Sequence, residues 1–199
     1  PGSGQCKPQR APVHRMPFRS GYQTKVMQAY HGYRTHKKDL AFSVDYKCDV
    51  GTPVVASRGG IVWATREDSN RGCDDPSCVD DGNYVVIDHG DGTFSEYHHL
   101  QQFGALVEVG DQVCRGDAIG LCGNTGYSTG PHLHFAVTDV THRTVPSRLA
   151  GAGRGVYPFP VPERSYRSRN DRRSTCRATD YSTIPTDAFA HHGILLDRQ

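Results

Sequence analysis

The chain has 199 residues, with 23 lysines and arginines against 21 acidic residues and a formal net charge of +2. This length fits one domain of ordinary size with extensions, and so small a net charge gives no reason to expect binding to nucleic acid. No apolar run approaches the roughly 20 residues that span a bilayer, so no transmembrane segment is expected. The 22 glycines and 12 prolines favour short strands joined by tight turns over a helical bundle.

Residues 1–23 are predicted to be a tag remnant followed by an N-terminal strap. Pro1-Gly2-Ser3 is typical of what a cleaved expression tag leaves behind. The native start is therefore expected to be missing, and the lack of a signal peptide says nothing about secretion. Residues 4–23 are polar and mixed and carry no hydrophobic period, so they are expected to lead into the domain as an irregular segment.

Residues 24–145 are predicted to form the main domain, an all-β fold of mainly antiparallel sheet. Gly90 and Gly92 separate two of its β-type runs and predict a hairpin turn, because glycine adopts positive φ without steric cost. No segment has a sustained helical period. The β-type runs lie at 53–56, 60–64, 84–88, 93–99, 107–113 and 118–123.

Residues 146–199 are predicted to be an irregular C-terminal extension and not a second domain. Prolines at 158, 160 and 162 indicate an extended linker, and an arginine-containing stretch follows it. The arginines are interpreted as a solvated face, with binding to anionic wall polymers or nucleic acid as the alternative. The tail residues Phe189, Ile194, Leu195 and Leu196 are candidates for docking on the main domain.

Seven cysteines favour disulfide bonds and an oxidising compartment over reduced, buried thiols. Cys73 and Cys78 enclose a short polar loop, and no CxxC pair indicates a zinc ribbon or a thioredoxin-like site. An odd number leaves at least one thiol unpaired within the chain. The seven are Cys6, Cys48, Cys73, Cys78, Cys114, Cys122 and Cys176.

Three histidine-containing segments are candidates for chemistry. In Pro131–Val137, strand alternation places His132 and His134 on one face and the apolar residues on the other, which suits one metal ligand and one catalytic neighbour. In Glu96–Leu100, the same alternation places Tyr97 and His99 on one face and His98 on the other. Structural or edge-strand surface histidines are the alternative for both segments.

The third segment, Thr35–Asp45, offers His36 and two carboxylates, Asp39 and Asp45. Catalytic zinc is commonly held by three protein ligands, with a fourth position left for water. A histidine, a carboxylate and a second histidine meet that requirement.

Four motifs in order then resemble the M23 peptidases, the lysostaphin/LytM-type group of peptidoglycan endopeptidases. They are Gly82–Gly92, Tyr97-His98-His99-Leu100, Gly123-Asn124-Thr125-Gly126 and Pro131-His132-Leu133-His134-Phe135. The similarity covers roughly residues 30–140. It implies a LytM/M23-like β core and one catalytic Zn²⁺ in a periplasmic or secreted bacterial enzyme. The enzyme is expected to be a monomer in which metal-activated water hydrolyses peptidoglycan cross-links.

The resemblance implies that His36, Asp45 and His134 hold the zinc and that His99 and His132 are the catalytic pair. The common family pattern HxxxD is absent, because Leu40 stands four residues after His36. Asp45 is preferred to Asp39 as the acidic ligand, since it lies six residues before Gly51-Thr52-Pro53-Val54, the family's usual spacing.

Substrate contacts are predicted at Tyr33 and Tyr97, with ordinary packing or edge exposure as the alternative. They are also predicted at Asn124 and Thr125 in the glycine-rich loop 123–130, with a plain turn as the alternative. Loop 66–81 and the tail are expected to set which bond is cleaved. A catalytically inactive M23-fold activator or scaffold is the alternative function. A biotinyl or lipoyl carrier is excluded, because no lysine follows Lys47.

Overall fold

The computed structural model describes residues 13–150 and 160–171, which form an all-β fold as the sequence predicts. Two short 3₁₀ helices interrupt the strands, η1 (Lys38–Leu40) and η2 (Pro76–Asp81). The strands are β1 (Val13–Arg15), β2 (Gln23–Gln28), β3 (Val44–Lys47), β4 (Pro53–Val55), β5 (Gly60–Arg66), β6 (Gly72–Cys73), β7 (Asn83–Asp88), β8 (Thr93–Ala105), β9 (Gln112–Val113), β10 (Ala118–Cys122), β11 (Gly126–Tyr127), β12 (His132–Asp139), β13 (Arg148–Ala150) and β14 (Ser165–Arg167).

Strand β12 occupies the interior of the largest sheet in the described segments. That sheet contains ten strands, and its main path runs β14-β2-β3-β12-β8-β7-β5-β9. Strand β12 is antiparallel to β3 on one side and to β8 on the other, so that His134 stands opposite both Asp45 and His98. Side chains on an interior strand are held on both flanks, which suits a site that needs fixed geometry.

The hairpin predicted from the glycines at 90 and 92 is present. Strands β7 and β8 pair antiparallel, with Asp88 opposite Phe94 at the turn end. Gly90 and Gly92 have φ of 69° and 80°, in the left-handed region that glycine adopts freely. The turn fixes the start of β8, the strand that carries His98 and His99.

The hydrophobic core draws on both chain segments that flank the predicted 24–145 domain. Leu133 and Phe135 of β12 are buried on the side away from the histidines, as alternation predicts. Phe18 precedes residue 24, Tyr166 follows residue 145, and both lie in the same core cluster. The remaining predictions for residues 1–12, 151–159 and 172–199, including the tag remnant and the docking of Phe189, Ile194, Leu195 and Leu196, lie outside the described residues.

Disulfide bonds are present, as the cysteine pattern predicts. Cys73 and Cys78 close the short polar loop, and Cys48, which follows β3, is bonded to Cys122 at the end of β10. Cys114 is also disulfide-bonded. Within 13–150 and 160–171, no helix has the length and apolar character that a bilayer crossing requires.

Candidate metal centre and active site

Two histidines and an aspartate converge from three parts of the chain. One potential ligand atom from each of His36, Asp45 and His134 lies within 4.8 Å of the others. The Asp45 Oδ1 atom is 3.1 Å from His36 Nε2 and 2.8 Å from His134 Nδ1. The pairing of β3 with β12 places Asp45 directly opposite His134, and the loop before η1 brings in His36.

The orientation of His36 leaves one ring nitrogen for a cation. Its Nδ1 lies 2.9 Å from the carbonyl oxygen of Ala29, and because a carbonyl only accepts, Nδ1 carries the proton. The other nitrogen, Nε2, is buried and has no hydrogen-bond partner among the described residues. A buried nitrogen lone pair that faces a carboxylate and a second imidazole fits a zinc ligand set.

Asp45 is held as a carboxylate. Burial alone would raise its pKa, but the interactions with His134 and His36 outweigh burial and hold the pKa of Asp45 well below its ordinary value. The Gln28 side-chain amide donates to Oδ2 at 3.2 Å. The alternative ligand, Asp39, instead lies in η1 with its carboxylate 3.3 Å from Arg143 Nε.

His99 and His132 lie together beside this cluster, with ring centroids 4.6 Å apart. His99 Nδ1 is 2.7 Å from the Thr125 carbonyl oxygen, and His132 Nδ1 is 2.8 Å from that of Gly130. Each Nδ1 therefore donates, which leaves each Nε2 as the basic atom. His132 Nε2 is 3.9 Å from Asp45 Oδ1.

Burial makes His99 a neutral imidazole. It lowers the pKa of His99 well below the ordinary value, and the neighbouring rings of His132 and His134 lower that pKa further. A neutral imidazole with an anchored Nδ1–H can accept a proton at Nε2, which is the requirement for a general base.

A β-bulge at His99 corrects the predicted arrangement of strand β8. Opposite β7, Leu100 pairs with Asn83 and His98 with Tyr84, so His99 is an extra residue, and its φ is 64°. Both His98 and His99 consequently lie on the His134 side, with ring centroids 5.7 and 6.0 Å from that of His134. Strict alternation had placed His98 away from the site.

Tyr97 is a core residue and not a substrate contact, contrary to the prediction from sequence. It is fully buried, and its ring centroid is 5.3 Å from that of Phe135. Its hydroxyl donates to Ser57 Oγ at 3.0 Å and accepts from the Ser57 N–H at 2.8 Å. The phenol is therefore saturated within the core.

Thr125 has structural contacts within the site, and a substrate contact at this residue stays a prediction. Its side chain is buried, and its hydroxyl accepts from the Asn83 N–H at 2.9 Å and donates to the Leu100 carbonyl at 2.7 Å. Its hydroxyl is thereby occupied, and its carbonyl anchors His99. Asn124 is partly exposed and accepts from Ser128 Oγ, and Tyr33 is 82% exposed, so substrate contact remains a prediction for both.

The sequence reasoning missed a second buried contact between a carboxylate and an imidazole beside the site. His98 Nε2 lies 3.0 Å from Glu96 Oε2, and Thr138 Oγ1 donates to Glu96 Oε1 at 2.7 Å. Glu96 and His98 are two residues apart on one strand, which was the available signal for a shared face.

Comparison with known proteins agrees with the geometry. Peptidase family M23 matches residues 40–146, more than half of the 199 residues. The peptidoglycan DD-endopeptidase ShyA of Vibrio cholerae is 44% identical over 91 residues, 46% of this chain and 18% of that protein. Lysostaphin of Staphylococcus staphylolyticus is 43% identical over 98 residues, 48% of this chain and 18% of that protein.

Among solved structures, a zinc-containing peptidase from Vibrio cholerae superposes with a TM-score of 0.50 at 28% identity. The superposition covers 68% of this chain and 39% of that one. The chain belongs to peptidase family M23. It matches about a fifth of the length of these curated relatives.

Proposed function

We propose that the protein is a zinc-dependent endopeptidase that hydrolyses the peptide cross-links of bacterial peptidoglycan. The observation that carries the proposal is the convergence of His36, Asp45 and His134, with His99 and His132 beside them on the same side of the sheet. Membership of family M23 supports a peptidase, and relatives named as peptidoglycan endopeptidases support the substrate class.

The metal would be held by His36 Nε2, an Asp45 carboxylate oxygen and His134 Nδ1, the atoms that face one another. Zinc bound by such a set polarises a scissile carbonyl and lowers the pKa of water toward neutrality. The buried and unpartnered Nε2 of His36 supports this assignment.

His99 and His132 would manage the protons of the reaction. Each presents a basic Nε2 and donates its Nδ1–H to a backbone carbonyl, which orients the ring to take a proton from the attacking water at Nε2. Passing that proton to the amide nitrogen as the C–N bond breaks releases an amine and a carboxylic acid. Once either ring is protonated at Nε2, that Nε2–H can also donate to the negatively charged carbonyl oxygen and stabilise it.

A location of the protein outside the cytoplasm, either periplasmic or secreted, follows from this proposal. The Cys48–Cys122 and Cys73–Cys78 disulfides suit an oxidising compartment. The protein would meet its proposed substrate, the peptides of peptidoglycan, in the same compartment.

Digestion of purified sacculi tests the proposal. The zinc-loaded protein would be incubated with sacculi of several cross-link types, and released fragments would be identified by mass spectrometry. We expect cleavage within a cross-link, blocked by a zinc chelator and absent from a zinc-loaded His99→Ala variant. Stoichiometric zinc without cleavage of any wall would reject the endopeptidase and favour the inactive binding or scaffold protein.

A further inference from the structure

The segment closed by the Cys73–Cys78 disulfide lies against the loop that orients the two predicted catalytic histidines. Strand β6 pairs in parallel with β11, with Gly72 opposite Gly126 and Cys73 opposite Tyr127. The Gly126 N–H donates to the Arg71 carbonyl at 2.9 Å, and the Ser128 N–H donates to the Cys73 carbonyl at 3.0 Å. Backbone contacts at Arg71 and at the disulfide residue Cys73 therefore hold residues 126–128.

The approach between the two segments is too close for side chains. A Cβ added at Gly72 would collide with the Asn124 carbonyl. A Cβ added at Gly126 would lie 2.8 Å from Gly82 Cα and 3.4 Å from His99 Nδ1. Gly126 thus packs between Gly82 and the imidazole of His99.

Residues 125–128 in turn contact both histidines at Nδ1. The Thr125 carbonyl accepts from His99, and the Thr125 hydroxyl accepts from the N–H of Asn83, the last residue of the segment 71–83 that contains the disulfide. Ser128 Oγ is buried, lies 3.1 Å from His132 Nδ1 and donates to the Asn124 side chain at 2.7 Å.

We propose that the segment 71–83, which contains the Cys73–Cys78 disulfide, is a positioning element for His99 and His132, acting through Thr125 and Ser128. The proposal rests on the proposed function, in which these histidines are the catalytic pair. The segment touches neither His36 nor Asp45 by any hydrogen bond of the described residues. Opening the disulfide therefore lowers turnover while the metal ligands stay in place.

The test compares Cys73→Ala/Cys78→Ala with Glu108→Gln, a change at an exposed residue outside loop 66–81 that leaves the disulfide intact. Zinc content is measured by atomic absorption, and kcat and KM are measured on muropeptide dimers prepared from a cleavable sacculus. We expect the disulfide variant to keep stoichiometric zinc and KM but to lose about 10- to 100-fold in kcat, the range found when supporting hydrogen bonds around a site are lost. Glu108→Gln should match the wild type in all three quantities.

Ser128→Ala completes a double-mutant cycle. If the segment acts through Ser128, the cost of Ser128→Ala in kcat is smaller in the disulfide-free background than in the wild type. Strictly additive costs, an unchanged kcat in the disulfide variant, or loss of zinc together with activity would each overturn the positioning role.

Imidazole ¹H–¹⁵N NMR of the zinc-free protein separates this proposal from the function on which it rests. The hydrogen-bonded Nδ1–H signals of His99 and His132 should be present in the wild type and in Glu108→Gln, and broadened or lost without the disulfide. Altered signals without any cleavage by the wild type would keep the positioning role and reject the endopeptidase. Cleavage by the wild type with unaltered signals in the disulfide variant would keep the endopeptidase and reject the positioning role.

Discussion

Within residues 13–150 and 160–171, Asp45 is the one carboxylate that contacts both histidines of the candidate metal site. Its Oδ1 lies within 3.1 Å of a nitrogen of His36 and of His134, and its depressed pKa keeps it charged. Removing that charge leaves two neutral imidazoles, a much weaker site for Zn²⁺. The identity of the acidic ligand therefore governs metal affinity.

Asp45→Asn should weaken zinc binding by more than about tenfold, because losing a ligand costs at least as much as losing an outer-shell contact. Asp39→Asn is the matched control, since Asp39 is exposed and paired with Arg143. Competition with a fluorescent zinc chelator measures both affinities. Equal weakening by the two variants would contradict the choice of Asp45.

His99 and His134 differ in what their loss should do. His134→Ala removes a proposed ligand and should abolish both zinc binding and cleavage, whereas His99→Ala should retain zinc and lose at least 100-fold in kcat, the lower range for a general base. His31→Asn, a change to an exposed imidazole, serves as the control. Zinc stoichiometry and sacculus cleavage are measured on the same preparations, and zinc loss from both alanine variants would reverse the assignment of roles.

Strand β8 and the loop 123–130 form the site through irregular backbone. The bulge gives His99 a φ of 64°, and Gly126 has a φ of 83° where the loop passes beside it. Positive φ is strained for residues with a side chain, so such positions persist where the surrounding contacts fix them. Here the β6–β11 pairing and the Thr125 hydrogen bonds supply those contacts.

Gly126→Ala should destabilise the fold more than Gly110→Ala. Both glycines have positive φ, but a Cβ at Gly110 meets nothing within 4 Å, whereas one at Gly126 lies 2.8 Å from Gly82 Cα. Gly110→Ala therefore reports strain alone, about 1 kcal/mol, and Gly126→Ala adds overpacking of roughly 1–3 kcal/mol. Urea unfolding measures the loss in the free energy of unfolding for each variant. Equal losses would mean that the loop accommodates the added Cβ of Gly126→Ala without overpacking.

Across the whole molecule, the sequence predicts the fold where the backbone is regular and fails where distant segments meet. Alternation placed His132 and Phe135 on opposite faces of β12, an interior strand. It failed at His99, because a bulge depends on the neighbouring strands and leaves no local pattern. Phe18 sits in a polar stretch without a period and is buried only because later segments cover it.

The same long-range packing buries two histidines away from the metal site. His14 and His89 are nearly inaccessible, and their ring centroids are 5.1 Å apart. Burial is the main cause that lowers the pKa of both, to about 4 for His89. Arg58 lowers both values further, and Asp91 opposes it.

These two histidines should make the zinc-free fold sensitive to mild acid. Above about pH 6.5 both histidines are neutral in the folded and in the unfolded chain. Below that pH the unfolded chain binds protons that the folded chain does not bind, so the free energy of unfolding decreases as the pH is lowered. For His89 the loss between pH 6.5 and its folded pKa of about 4 is on the order of 3 kcal/mol. This loss is measured by urea unfolding of chelator-treated protein between pH 4 and 7. The free energy of unfolding of His89→Asn should depend less steeply on pH than that of the wild type. His31→Asn, the same change at an exposed position, should keep the pH dependence of the wild type. If the free energy of unfolding changed equally with pH in all three proteins, His89 would be ruled out as a source of the acid sensitivity.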